Sequence, residues 1–311
     1  MSVIARQQKT KAEVFIREAE KTLAKRSWFG SKSQQQEDAA ELYDKAGNAY
    51  KVGGLYHEAG EAYTQAAQVY ADKLSNTFEA SKMYQNAGQC FHKSSPADAV
   101  NAYNQAILLM TDAGRILPAA KLSKTCAELY EKEGIDLEDK SHVVLAIEAY
   151  EQAAELFEAE NSPAQKSTCI VKIAELCSAE LDPPDLLRAA GLYDSLGRSS
   201  LDSNMLKFHA KGYFLQTILC HLANGDSIAG RQAVTRYEAL DYTFGTSREG
   251  KFAAQLLEAV DSFDGESFAS ACFEYDKIAK LDPWKTAMLV KVKKSIDGDE
   301  EGEEEDDVDL T

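Results

Sequence analysis

One pattern returns along the chain at steps of about twenty residues. Each copy has a small residue, a tyrosine four positions later, and an alanine three positions after that. The copies are Ala39/Tyr43/Ala46, Ala59/Tyr63/Ala66, Ala80/Tyr84/Ala87, Ala99/Tyr103/Ala106 and Ala146/Tyr150/Ala153. Offsets of four and three place all three side chains on one face of an α-helix. The pattern therefore predicts a series of helices that bury the same kind of face.

The spacing of the copies also predicts how the helices are joined. One helix and its turn fill each step, so two of them make a hairpin of about forty residues, as in tetratricopeptide-like solenoids. From about Ser203 the pattern fades, although the helical periodicity continues. We predict an all-α fold with a helical-hairpin solenoid and a C-terminal helical bundle. The expected domains are 1–200 for the solenoid, with an aromatic loop at 26–36, 201–296 for the bundle, and 297–311 for a flexible acidic tail.

The charge of the chain restricts the kinds of partner. The formal net charge is −17, and the last fifteen residues hold ten acids and no base. Such a chain is a poor candidate for binding DNA or RNA. A long helical solenoid instead favours an adaptor that offers an extended surface.

The lack of long apolar runs and the placement of the cysteines both indicate where in the cell the protein resides. No apolar run approaches the roughly 20 residues that span a bilayer, and the first residues lack the apolar core of a signal peptide. Six scattered cysteines without a C-x-x-C spacing are typical of reduced core thiols. We expect a cytoplasmic protein whose contact with membranes is peripheral.

One segment of the chain partly matches a catalytic motif. The segment GTSREGKF at 245–252 fits G-x-x-x-x-G-K, but Phe252 stands where a phosphate loop needs Ser or Thr for magnesium. A nucleotide-dependent enzyme using Gly245 to Lys251 is the rival hypothesis, and a helix N-terminus after a loop is the simpler interpretation. The five histidines show no zinc-binding spacing. We expect no catalytic residue, no cofactor, no metal and no small-molecule substrate.

Two segments and one residue carry a family resemblance. They are EDAAELYDKAGNAYKV at 37–52, KLDPWKTAMLVKVKKSIDGDEE at 280–301, and the penultimate Leu310. With them, nearly the whole chain resembles the alpha-type soluble attachment proteins for the N-ethylmaleimide-sensitive fusion ATPase; the beta type is closely similar. The resemblance implies an adaptor that binds the SNARE complex, a four-helix fusion bundle with a syntaxin-type component. It also implies that the adaptor recruits the ATPase and stimulates disassembly of the bundle without doing chemistry itself.

The resemblance assigns roles to three groups of residues. Trp28 and Phe29 are expected to contact the membrane. Burial of their rings in a bilayer would be favourable, and their basic neighbours attract anionic lipid. The alternative is that the pair folds back onto the protein as a hydrophobic staple. SNARE binding falls to Arg115, Lys121, Lys166, Lys207 and Lys211, aligned on one side of the stack, although such side chains are commonly only solvated. Contact with the ATPase falls to Glu258, Asp261, Asp299, Glu300, Glu301 and Leu310. The alternative for the tail is a solubilising segment.

A tetratricopeptide-type co-chaperone that grips peptide tails is the second candidate function. Such modules use Lys and Asn clustered in a narrow groove. The aromatic loop and the acidic terminus have no place in that scheme.

Overall fold

The computed structural model describes residues 1–25, 31–135, 140–202 and 206–298. Within these ranges the chain forms fourteen α-helices and no β-strand, which confirms the all-α prediction. The chain divides into two compact units, Met1–Cys169 and Ile170–Thr311, and the division falls within the eighth helix. The limits drawn from the sequence for solenoid, bundle and tail stay a prediction.

The first unit is a run of helices in which each helix from α1 to α6 packs against the next one along the chain. A π-helical turn, Val69–Lys73, continues the third helix. Its helices are α1 (Val3–Ala24), α2 (Lys32–Val52), α3 (Tyr56–Gln68), α4 (Thr77–Phe91), α5 (Pro96–Asp112), α6 (Ile116–Glu133) and α7 (His142–Ala159). The boundary between the units falls inside α8 (Pro163–Glu175). Packing of each helix on its neighbour is the hairpin stacking that the repeat predicts.

The repeated tyrosines lie in the core of this unit. Tyr63, Tyr103 and Tyr150 are buried together with the small residues of their copies, whereas Tyr84 is half-buried. Rings also pack on glycines of the preceding helix: a β-carbon added at Gly47 would lie only 2.8 Å from the Tyr63 ring. Close helix approach in this unit therefore depends on glycine next to an aromatic ring.

The second unit is centred on one helix that is buried on most sides. Helix α10 packs against α9, α11, α12 and α14. Its residues Phe214, Leu215 and Ile218 are fully buried, as expected for a helix with apolar residues around most of its circumference. The helices are α9 (Leu186–Leu201), α10 (Lys207–Ala223), α11 (Ser227–Leu240), α12 (Arg248–Asp261), α13 (Gly265–Ile278) and α14 (Pro283–Asp297).

Helix starts in the second unit are fixed by side chains. Asp226, Ser247, Asp264 and Asp282 each accept a backbone N–H of the helix that follows them. Such caps satisfy donors that the first turn leaves without a partner. They fix where α11 to α14 begin, and one of these helices, α12, carries two of the predicted contact residues, Glu258 and Asp261.

Candidate functional site

Arg115 is the most constrained of the predicted basic residues. It stands at the N-terminus of α6, and its guanidinium carbon lies 4.7 Å from the centre of the Phe78 ring. Its Nη1 donates a hydrogen bond of 3.2 Å to the hydroxyl of buried Ser81. A cation above an aromatic ring is stabilised by the ring's negative face. Arg115 therefore presents a half-buried, oriented charge, with the 54% exposed Phe78 beside it.

Lys121 and Lys166 differ in their surroundings. Lys121 is exposed in the second turn of α6 and forms no ion pair with any of the residues that the structure describes. Lys166 near the start of α8 has its Nζ 2.5 Å from Oε1 of Glu158 at the end of α7. The charge of Lys166 is thus partly compensated. Of the two lysines, Lys121 is therefore the more available to bind an acidic partner.

Two predicted basic residues stand at the start of α10. Lys207 is exposed, and its Nζ lies 5.7 Å from the centre of the ring of Phe208, which is 79% exposed. Lys211, one turn later, has its Nζ 3.8 Å from Oδ2 of Asp241. Tyr242 follows Asp241 and is 90% exposed. This end of α10 therefore combines positive charge with unburied aromatic surface.

Sequence reasoning overlooked these two aromatic residues. The signal for Phe208 was present, because it stands between Lys207 and His209 on the polar side of an otherwise apolar helix. Tyr242 gave no comparable signal, since it belongs to the connection between α11 and α12.

The predicted basic residues fall in both units. Arg115, Lys121 and Lys166 belong to the first, and Lys207 and Lys211 to the second. Their alignment on one side of the protein stays a prediction.

Two of the acids predicted to meet the ATPase, Glu258 and Asp261, lie at the end of α12. Glu258 is exposed and lines a depression of about 340 Å³ together with Asp264 and Glu274. Asp261 pairs with Arg231 of α11, which partly compensates its charge. Hydrogen bonds from the backbone and hydroxyl of Ser267 lower the pKa of Asp264. The acidic surface thus contains two carboxylates, Asp264 and Glu274, that the sequence did not single out.

The last helix is held to the unit by its tryptophan. Nε1 of Trp284 donates a hydrogen bond of 2.8 Å to the buried Ser178 hydroxyl, and Nζ of Lys291 donates one of 2.9 Å to the Ser178 carbonyl. A buried polar pair of this kind fixes orientation as well as adding stability. The described part of the segment 280–301, which supported the family resemblance, therefore helps to hold the unit together.

Several predicted contact residues lie outside the described residues. Trp28 and Phe29 fall in the range 26–30, and Asp299, Glu300, Glu301 and Leu310 fall in 299–311. Their roles stay predictions.

The glycine-rich segment is the start of a helix. Ser247 caps α12 by accepting the Gly250 backbone N–H at 3.1 Å, and Phe252 is buried. Gly250 itself packs against the Phe244 carbonyl, in space that a β-carbon would fill. No strand precedes the segment among the described residues, so the geometry fits the simpler interpretation of a helix N-terminus after a loop.

The described ranges contain neither a metal-binding group of side chains nor a helix that could span a membrane. Histidine, cysteine and acidic side chains there form no group of three that could hold a metal ion. No helix of those ranges is long and apolar enough to cross a bilayer.

Helices that pack one on the next and carry charged residues on their exposed faces define a class of protein: helical scaffolds that bind other macromolecules over extended surfaces. Comparison with known proteins identifies the family. Residues 10–297 match the family model described as "Soluble NSF attachment protein, SNAP". The chain belongs to this family.

Curated relatives match over most of their length. The alpha-soluble NSF attachment protein of Mus musculus is 38% identical over 273 residues, which are 88% of each chain. That of Vitis vinifera is 36% identical over 298 residues, 96% of this chain and 98% of the relative. The vesicular-fusion protein SEC17 of Komagataella phaffii is 33% identical over 305 residues, 96% of this chain and 99% of the relative.

A solved structure was also matched. The crystal structure of BtubC from P. vanneervenii aligns with 79% of this chain and 94% of its own, with 13% identity and a TM-score of 0.38. A score this low adds nothing to the description of the fold.

Proposed function

We propose that this chain is an adaptor in vesicle fusion and intracellular transport. It binds SNARE complexes at membranes, recruits the N-ethylmaleimide-sensitive fusion ATPase (NSF), stimulates ATP-driven disassembly of the complex, and does no chemistry itself. The observation that carries the proposal is the chain-long match to a family named for attachment to NSF, with relatives named for vesicular fusion. The co-chaperone alternative is not favoured by these relatives.

The basic residues are the proposed contact with the SNARE bundle, including its syntaxin-type component. Lys121 is free to meet an acidic side chain, and Arg115 is already oriented by Phe78 and Ser81. Exposed charge pairs contribute little each, so this surface steers binding and depends on salt.

Exposed aromatic side chains add an apolar contribution, independent of charge, to the proposed contact with the SNARE bundle. Phe208 stands beside Lys207 and one turn before Lys211 at the start of α10. Large aromatic residues surrounded by polar groups often dominate binding energy at interfaces. Phe208 is therefore the residue of this end that we expect to matter most.

The acidic end is the proposed contact with NSF. Glu258 and Asp261 lie at the end of α12, and the acids Asp299, Glu300 and Glu301 with Leu310 follow α14. Because Trp284 fixes α14, the described end of this helix at Asp297 has a defined position in this unit. Carboxylates on a defined surface complement a basic partner and orient it.

The membrane contact is assigned to Trp28 and Phe29. Two apolar rings with basic neighbours give weak and reversible attachment to an anionic bilayer. That attachment suits a cytoplasmic factor that binds membranes peripherally and has to be released after each cycle.

One reconstitution tests the proposal. The purified chain is mixed with NSF, ATP and a recombinant SNARE complex, and loss of the complex is followed by fluorescence dequenching. We expect disassembly and faster ATP hydrolysis only when the chain is present. A chain that leaves both rates at the level of NSF alone would rule the adaptor role out.

A further inference from the structure

A groove of about 1080 Å³ crosses the first unit on the side formed by α1, α3 and α5. Tyr43 and Tyr50 of α2 and Tyr84 of α4 also line it. Small-molecule sites usually have volumes of about 300–1,000 Å³. The groove lies at the upper limit of that range and is lined by residues of five helices, so it has room for a length of polypeptide.

The charge of this groove has one sign. Four carboxylates line it (Glu20, Glu58, Glu61 and Asp98), and no Lys, Arg or His does. Among the described residues, Glu20, Glu58 and Asp98 form no ion pair, while Glu61 lies 3.7 Å from the exposed ring nitrogen Nε2 of His57. Burial, and then the charge of Glu20, raises the pKa of Tyr43, which therefore stays a hydroxyl donor. The walls thus carry uncompensated negative charge above aromatic rings.

Amide side chains supply the second feature of the groove. Gln65 and Gln68 on α3 are three residues apart, and Asn101 and Gln105 on α5 are four apart, so each pair shares a helix face. None of the four amides is hydrogen-bonded to another described residue. An amide offers both a donor and an acceptor, which is the complement of a peptide backbone. These amides, which line the groove from two helices, can therefore pair with a chain laid along it.

We propose that this acidic groove binds an extended, Lys/Arg-rich segment of a partner protein. The carboxylates attract its basic side chains, the half-buried ring of Tyr84 accepts a cation on its face, and the amides bind its backbone. The same charge repels the chain's own acidic tail, anionic lipid and nucleic acid. It is also opposite in sign to the lysine-containing groove of a co-chaperone that grips peptide tails. The inference goes beyond the adaptor role and does not depend on it.

Two variants of equal charge separate groove binding from general attraction to an acidic protein. The groove variant carries Glu58→Gln, Glu61→Gln and Asp98→Asn. The control variant carries Asp72→Asn, Asp112→Asn and Glu155→Gln, which are exposed acids outside the groove and outside any ion pair with the described residues. Both lose three negative charges and keep the full acidic tail. Unfolding in urea verifies that both fold like the parent chain.

The binding test uses the full-length chain and a fluorescein-labelled peptide in which Lys and Arg alternate with Gly and Ser. Anisotropy titrations are run at low and at physiological salt. We expect the groove variant to bind about tenfold more weakly at low salt, because three weak exposed contacts are lost together. We expect the control variant to change affinity by less than about twofold. Equal loss in both variants would overturn the proposal, since binding would then reflect net charge alone.

A further comparison distinguishes a peptide from a free polyamine. The double variant Gln65→Ala and Asn101→Ala removes amides and no charge. We expect it to weaken the peptide several-fold while leaving the affinity for labelled spermine unchanged, because spermine has no backbone carbonyl or amide. If spermine binds as tightly as the peptide and neither responds to the amide changes, the groove is a polyamine site and the proposal fails.

Discussion

The ring of Tyr103 in α5 packs directly against the backbone of Gly88 in α4, in space that a β-carbon would fill. Gly60 of α3 meets the ring of Phe91 in the same way. Because glycine has no side chain at these positions, the neighbouring helices can approach closely. The stack is thus built on ring-to-backbone contacts that tolerate little added volume.

Replacement of Gly88 by Ala tests this packing. Overpacking of a core usually costs about 1–3 kcal/mol, whereas Ala favours a helix over Gly by about 1 kcal/mol. We expect Gly88→Ala to lower the free energy of unfolding by up to about 2 kcal/mol net, because the Tyr103 ring has to move. Urea denaturation followed by circular dichroism measures the change.

Gly191 is the matched control for Gly88. It lies within α9, and a β-carbon there would meet nothing within 4 Å. Gly191→Ala should therefore raise stability by about 0.5–1 kcal/mol through helix propensity alone. A stabilising effect at both positions would show that ring packing does not limit the stack.

The sequence predicted the helices well because the information is local. The Ala39/Tyr43/Ala46 face is visible within eight residues, and the structure buries all three side chains. The sequence did not predict which aromatic ring packs against which glycine. The pairing of Tyr103 with Gly88 depends on how two helices are set against each other, which no single-helix pattern contains.

The surfaces were less predictable for the same reason. Phe78 and Arg115 are far apart in sequence, yet their contact decides that Arg115 is oriented and half-buried. The acidic groove escaped notice because its residues come from five helices and each looks like ordinary solvated surface. The sign of each charge could be read from the sequence. Whether a neighbouring residue compensates that charge could not.

Replacement of Trp28 and Phe29 should reduce disassembly of SNARE complexes only when the complexes are anchored in a membrane. Burial of apolar area is worth roughly 25 cal/mol per Å², so two rings contribute a few kcal/mol to attachment. We expect Trp28→Ser with Phe29→Ser to reduce disassembly of liposome-anchored SNARE complexes at least tenfold, with soluble complexes little affected. The assay compares the two rates at equal protein concentration.

A second pair of exposed apolar residues serves as the control for this change. Phe273 and Ile278 on α13 are 62% and 68% exposed. Their replacement by Ser removes similar surface elsewhere and should leave the liposome rate unchanged. Equal losses on liposomes and in solution for the Trp28/Phe29 variant would mean that the pair stabilises the fold instead.

The thiol of Cys272 should react slowly and with a steep dependence on pH. Burial raises its pKa to about 11, and the thiolate is the reactive form. Between pH 8 and 10 the alkylation rate of the native protein should rise about tenfold per pH unit, because the group remains mostly protonated. In urea the rate should level off near the ordinary thiol pKa of about 8.5. Iodoacetamide labelling read by mass spectrometry measures both, and a native plateau below pH 9 would contradict the burial.

The terminal leucine is expected to act on the ATPase and not on SNARE binding. Leu310→Ala should leave capture of the SNARE complex unchanged and lower stimulated ATP hydrolysis several-fold, because it removes one apolar contact at an otherwise electrostatic surface. Val308→Ala is the control, since it lies in the same acidic segment. Full stimulation by the Leu310 variant would show that the acids alone carry this contact.

The free lysine on α6 provides the sharpest test of the basic surface. Lys121→Glu places a negative charge where no described neighbour compensates it, whereas Lys166→Glu also leaves Glu158 without its partner. We expect each change to weaken capture of the SNARE complex about fivefold to tenfold at low salt, and less at physiological salt because of screening. Surface plasmon resonance at both salt concentrations measures the affinities.

Controls for the two lysines match their surroundings. Lys73 resembles Lys121 in being exposed without a described ion pair, and Lys45 resembles Lys166 in pairing with a glutamate, Glu41. Lys73→Glu and Lys45→Glu change net charge equally and should alter capture by less than about twofold. If all four variants lose the same affinity, the effect is a response to total charge, and the assignment of Lys121 and Lys166 to the SNARE-binding surface is wrong.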